Sequence, residues 1–138
     1  MKKNKKEIGV YPNNVWPTVL LCVLIFYCSM MIFVASIPGD SINNAFIPQY
    51  AILLHFTEFF FLALIGYITF SIFEVQRAFS SSVLLIVGMS ILTEGIQYFV
   101  PGRFFGWVDF NVNLAGGFTT LLILIMFLET SSYAEGPL

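Results

Sequence analysis

The sequence predicts an all-α, polytopic membrane protein: a four-helix antiparallel transmembrane bundle with both termini in the cytoplasm. Three observations lead there. Of the 138 residues, 58% are hydrophobic and only 10% charged, whereas soluble domains carry about one-quarter charged residues. Four apolar runs are long enough to cross a bilayer, which takes about 20 residues of helix. The basic residues gather where a bundle of that topology would place one of its two ends.

The first span covers residues 17–37, PTVLLCVLIFYCSMMIFVASI, and its only ionisable groups are Tyr27 and two cysteines. Val34-Ala35-Ser36 after an N-terminal KKNKK has the outline of a cleavable signal. The apolar stretch, however, exceeds the about 7 to 15 residues usual for a signal core, so it is read as a span. Cys22 and Cys28 are six apart, so they do not share a helical face, and both are expected to be inert core thiols. The second span, residues 49–73, holds His55 and Glu58 near its start; the third, 79–99, holds Glu94 and Gln97 near its end. The fourth, 110–128, opens on NVNLAGG and becomes wholly apolar. Short connections make consecutive helices antiparallel neighbours in one compact domain over 17–128, between a basic N-terminal segment, 1–16, and a tail, 129–138.

Lys and Arg flanking short loops are retained on the cytoplasmic side. Lys2, Lys3, Lys5 and Lys6 precede the first span and Arg77 lies between the second and third, at one end of the bundle. The opposite loops, PGDSINNAFIP and PGRFFGWVD, carry only Arg103. Both termini are therefore placed inside and these two loops outside, with Phe104, Phe105 and Trp107 as interfacial anchors. Topology suffices to explain the basic N-terminus, and nucleic acid is not an expected partner.

At about 1.5 Å per residue, this topology turns sequence position into depth. His55, Glu58, Glu94, Gln97, Arg103, Asp109 and Asn113 all fall in the outer leaflet or its interface. The inner halves of the last three helices hold no ionisable group except Tyr67. Azimuth agrees with depth. His55 and Glu58 share a face that continues through Leu62, Gly66 and Thr69, and Ser90, Glu94 and Gln97 share another. Asn113, Gly116 and Gly117 are assigned one face of the fourth helix, where small residues admit a neighbouring backbone. Phe59, Phe60, Phe61 and Phe70 are assigned to lipid. A charge at mid-membrane costs about 2.5 to 3.5 kcal/mol on insertion scales, so these residues are expected to form a hydrogen-bonded polar cup open to the outside. Arg103 is the natural counter-ion of Glu94 or Asp109.

Three elements in order, His55-Phe56-Thr57-Glu58-Phe59, then Glu94 to Arg103 as Glu-x-x-Gln-x-Phe-x-Pro-Gly-Arg, then Asp109, Asn113 and Gly116, give the chain a resemblance to the VanZ-like family of small membrane proteins. The resemblance spans about residues 49 to 120, and its central element is the specific one. The chain departs from many relatives where they have an Asp-Lys pair ahead of the histidine, here Gln49-Tyr50-Ala51-Ile52, and where they have Asp and His beside the glutamate and glutamine, here Thr93 and Ile96. Its polar network is correspondingly smaller. The resemblance implies a role at the cell envelope, since the family's namesake raises resistance to teicoplanin, a lipid-bearing glycopeptide acting on peptidoglycan precursor at the outer membrane surface.

Each polar group also has a purely structural role open to it. Glu94, Gln97 and Arg103 can latch the turn after Pro101-Gly102. His55 with Glu58 can be a general acid/base pair or a satisfied bundle contact. Asp109 can cap the fourth helix. A metal site can be drawn from His55, Glu58, Glu94 and Asp109, but a single histidine is few for catalytic zinc, and no metal or other cofactor is expected. Three function classes follow. One is a membrane factor binding or shielding a lipid-linked or amphiphilic ligand, such as a lipid-linked cell-wall precursor or a lipoglycopeptide. Another is a small intramembrane hydrolase or transferase with His55, Glu58 or Glu94 as catalytic candidates. The third, a transporter, lacks polar groups in the inner half and an evident inverted repeat.

The topology is testable by cysteine accessibility in a background with Cys22 and Cys28 replaced by serine. Phe104→Cys is expected to react with a membrane-impermeant maleimide added to intact cells, and Gln76→Cys only after lysis; the reverse pattern would invert the bundle.

Overall fold

A computed structural model describes residues 15–39 and 50–134, with side chains as far as Leu128. The readings placed on Lys2, Lys3, Lys5 and Lys6, on most of the 38–48 loop and on the end of the C-terminal tail lie outside the described residues. Four helices follow one another: α1 Trp16–Ala35, α2 Ala51–Ile72, α3 Ala78–Phe99 and α4 Trp107–Ala134. All four are long and apolar enough to cross a membrane. This is the architecture of a multi-pass membrane protein.

The helix ends follow from local chemistry. Pro17 sits in the first turn of α1, where its missing N–H has no intrahelical partner to lose. α2 closes on a Schellman arrangement: the Glu74 N–H donates to the Ser71 carbonyl at 3.1 Å and the Val75 N–H to the Phe70 carbonyl at 3.0 Å. That pattern needs a left-handed residue, usually glycine, and here Glu74 takes it with φ 53°. α3 stops because Pro101 forces the residue before it out of the helical region; Val100 is extended at φ −90°, ψ 129°. Gly102, at φ 74°, completes the tight turn that the Arg103 N–H closes on the Val100 carbonyl at 3.1 Å. α4 starts three residues earlier than the hydropathy suggests, at Trp107, since the Gly106 carbonyl already accepts the Phe110 N–H at 2.8 Å. Asp109 therefore lies inside the first turn rather than at the cap, where its charge still favours the positive end of the helix.

α2 and α3 each pack on all three other helices, whereas α1 and α4 have at most marginal contact; α2 with α4 is the most extensive pairing. Those two run parallel. A Cβ on Gly116 would collide with the Phe56 carbonyl, and one turn further along each helix the Thr120 hydroxyl donates to the Phe60 carbonyl at 2.9 Å. In a bilayer, where lipid is as apolar as leucine, such close backbone approach and interhelical hydrogen bonding provide the attraction. Gly117 serves a different neighbour: a Cβ there would lie 2.7 Å from Ile86 of α3. The two adjacent glycines are thus not on one face, because neighbouring helical residues diverge by about 100°. Gly66 admits Leu85 of α3 in the same way, at 2.7 Å.

The core is made by Leu24 and Met31 of α1, Phe59, Leu62 and Ala63 of α2, Ile86 and Met89 of α3 and Leu121 of α4. Phe59 belongs here and not to lipid. It follows Glu58 by one residue, and α2 is enclosed on more than one side, so its buried arc is wider than that of a peripheral helix. Phe61 remains on the outside, as do Phe26, Leu84 and Phe127. Cys22 is exposed and Cys28 half-buried, so only Cys28 touches the core; α1 packs on one side alone, and six residues turn Cys22 away from it. In the half of the bundle remote from His55, the buried Thr69 and Ser82 return their hydroxyls to the carbonyls of Ile65 at 2.7 Å and Ala78 at 2.8 Å. Such back-bonding satisfies a hydroxyl within its own helix.

Gly116→Ala is expected to force α4 away from α2 and to cost about 1 to 3 kcal/mol, the usual range for overpacking. Gly88→Ala, whose Cβ meets nothing within 4 Å, is expected to leave stability unchanged or slightly raised. Thermal unfolding of both variants in one detergent checks the contrast.

Candidate functional site

At the end of the bundle where α1 and α3 finish and α2 and α4 begin lies a cavity of about 530 Å³. α2 supplies His55 and Glu58, α3 supplies Thr93 and Gln97, the α3–α4 connection supplies Arg103 and Phe104, and α4 supplies Asp109. The opposing wall comes from the last turns of α1: Met31, Val34, Ala35 and, just beyond it, Ile37. The rim is tied together where the Gly39 N–H donates to the Pro101 carbonyl at 3.1 Å, and a Cβ on Gly39 would collide with the Gly102 carbonyl.

Five of the seven expected cup residues, His55, Glu58, Gln97, Arg103 and Asp109, face this space. Glu94 and Asn113 do not. Both are fully buried behind the wall and hold it in place. One carboxylate oxygen of Glu94 accepts the Gly106 N–H at 3.1 Å, and the other accepts the Asn113 side-chain amide at 3.3 Å. α3, the loop and α4 are stitched by a single side chain. Because Gly106 stands at the N-terminus of α4, the carboxylate also meets the positive end of that helix. Ser90, one turn below, reaches the Phe110 carbonyl at 3.5 Å, continuing the α3–α4 seam.

The latch therefore exists, with different partners from those the sequence suggests. Among the described residues no ion pair joins Arg103 to Glu94 or Asp109. Both oxygens of Glu94 are already engaged, and Arg103 lines the cavity together with Glu58. Glu94 instead senses His55 and Asp109. His55 and Glu58 share the cavity without a hydrogen bond between them. What fastens this part of α2 is Tyr27, whose hydroxyl donates to the Glu58 backbone carbonyl at 3.0 Å.

His55, Glu94 and Asp109, from three different helices, offer ligand atoms that all lie within 4.8 Å of one another. Glu58, included in the sequence-level set, is not in this group. Next in sequence to the lining residues Phe104, Gly106 and Asp109, the rings of Phe105, Trp107 and Phe110 cluster with centroids 5.0 to 6.4 Å apart. Phe104 and Trp107 are strongly exposed and Phe105 half-buried, as suits rings at a membrane interface.

Sequence reasoning missed the α1 wall, Tyr27 and the Gly106 N–H. The first two carry no local signal, since an apolar helix looks the same from every side. Gly106 had one: a Cβ there would sit 2.5 Å from the Asp109 carboxylate, and a glycine three residues ahead of an acid at a helix start marks a crowded N-terminus. No family model, curated protein or solved structure matches the chain.

Removing the Glu94 side chain leaves the Gly106 N–H and the Asn113 amide without acceptors, and each buried unsatisfied group costs about 1 to 3 kcal/mol. Glu94→Ala is expected to lose that much or more. Glu94→Gln is expected to stay within about 1 kcal/mol of the parent, the ordinary scale of one net hydrogen bond. Its carbonyl can still accept from Gly106, and Asn113, whose Oδ1 has no partner, can turn its amide over to accept from the new NH₂. Thermal denaturation of the two variants decides this.

Proposed function

We propose that the chain is a VanZ-like membrane protein, oriented with both termini in the cytoplasm, whose cavity opens at the outer leaflet and binds an amphiphilic ligand by its polar head group. The observation that carries this reading is the two-sided lining of the cavity. The α1 wall is wholly apolar, from Met31, Val34, Ala35 and Ile37, whereas all the polar groups, His55, Glu58, Gln97, Arg103 and Asp109, come from the other side, set among Leu54, Phe59 and Phe104. A water-soluble metabolite has no use for the first wall, and a hydrocarbon chain none for the second. The volume lies within the about 300 to 1,000 Å³ of ligand pockets. Lipid-linked cell-wall precursors and acylated glycopeptides have this two-part chemistry, which agrees with the envelope role that the family resemblance implies.

A small hydrolase or transferase acting on such a head group is the second reading, and the convergence of His55 with Glu94 and Asp109 favours it over a purely structural cup. Transport fits less well. In the remote half the buried Thr69 and Ser82 bond to their own helices.

The test is saturable binding by the full chain in lipid nanodiscs. The probes are a fluorescent polyprenyl-pyrophosphate disaccharide and teicoplanin with and without its acyl chain. The acylated probes are expected to bind, and Arg103→Ala and Met31→Trp each to weaken them at least tenfold, by loss of a cation and by filling the apolar side. Equal binding of acylated and deacylated probes, or no saturable binding of either lipid, would overturn the reading.

A further inference from the structure

The ligand atoms of His55, Glu94 and Asp109 lie within 4.8 Å of one another, yet no hydrogen bond or ion pair joins these three side chains among the described residues. Ligand atoms around a tetrahedral zinc-class ion are about 3.4 Å apart, at about 2.0 to 2.2 Å each from the metal, so a small inward turn of the three side chains would let one ion reach them all. The charge balance points the same way. Glu94 and Asp109 bring two carboxylates together beside His55, and among the described residues no Lys or Arg side chain forms an ion pair with either.

We propose that His55, Glu94 and Asp109 bind one divalent first-row cation, of the manganese or zinc class, at the base of the cavity. One imidazole suits zinc or iron and two carboxylates suit manganese. A single nitrogen with two oxygens therefore excludes the soft, thiolate-seeking ions. Three observations beyond the cluster support a built site. Glu94 is fixed by donors on both oxygens, Gly106 N–H and Asn113, the kind of outer support that orients a metal-binding carboxylate. Asn113, whose amide nitrogen bonds Glu94, is fully buried, and its Oδ1 has no hydrogen-bond partner among the described residues. His55 and Asp109 line the cavity whereas Glu94 closes it from behind, so the remaining coordination positions face the space where a ligand enters. A further consequence rests on the binding reading above. Without a cation the site presents Glu58, Glu94 and Asp109 against Arg103, which repels a phosphate-bearing head group; a bound divalent ion cancels that excess of negative charge.

The experiment is a Co²⁺ titration of the chelator-stripped full chain in nanodiscs, with no lipid ligand present, so that it fails independently of the amphiphile assay. One Co²⁺ per chain with visible d–d absorption, displaced by Zn²⁺, is expected. Asp109→Asn, which loses no side-chain hydrogen bond, and Glu94→Gln, whose fold is expected to persist, should each weaken binding at least tenfold. His55→Gln should also change the spectrum by removing the nitrogen ligand. Glu74→Gln, in the turn at the other end of the bundle, should change nothing. Absence of saturable Co²⁺ binding to the folded parent, or affinity and spectrum unaltered in Asp109→Asn and His55→Gln, would overturn the proposal and leave a site occupied by water or a shared proton. Adding the polyprenyl-pyrophosphate probe with and without metal then reports whether the ion serves head-group binding.

Discussion

Everything at the polar end of this bundle depends on one buried carboxylate. Glu94 has no contact with solvent, and isolating a charge there would be prohibitive. It is tolerated because the Gly106 N–H and the Asn113 amide meet its two oxygens and because α4 points its positive end toward it. In return it decides where α4 begins, how the Gly102–Gly106 connection folds over the bundle, and hence where Arg103 and Asp109 stand.

The two ends of the bundle solve opposite problems. Away from the cavity, the Thr69 and Ser82 hydroxyls return to their own helices, while α2 and α4 associate through Gly116 on Phe56 and Thr120 on the Phe60 carbonyl. That arrangement needs no water and leaves no room. At the cavity end the helices separate enough to expose His55, Glu58 and Asp109 to a shared space. The contact that binds α2 to α4 so tightly at Gly116 adjoins this space: Phe56 is next to His55 in the chain, and the two helices bring His55 and Asp109 to one lining.

α1 adds the chemistry that the other three helices lack. It carries no polar side chain into the cavity, yet its last turn makes one wall apolar, and Tyr27 fastens it beside Glu58 through the backbone. The space it closes has distinct polar and aliphatic sides, and this division selects ligands with two chemical parts. The same space has His55 and Asp109 on its lining, with ligand atoms within 4.8 Å of those of Glu94 behind it.

Hydropathy alone determined the four spans, and depth counting alone brought His55, Glu58, Glu94, Gln97, Arg103, Asp109 and Asn113 to one end, because a helix converts residue number directly into height. Pro101 and Gly102 likewise wrote the end of α3 and its turn into the chain. Which side chains face the cavity and which support it from behind was decided by tertiary structure. Glu94 and Gln97 are three residues apart on one helix, and only the loop folded over α3 makes the first a buried clamp and the second part of the lining. The pairing of Glu94 with a backbone N–H instead of Arg103 is hidden from sequence for the same reason: main-chain donors are present at nearly every residue, and the fold alone aims one of them. Phe59 and Cys22 exchange their expected places because burial in an apolar chain follows from how many neighbours a helix has, which composition does not record.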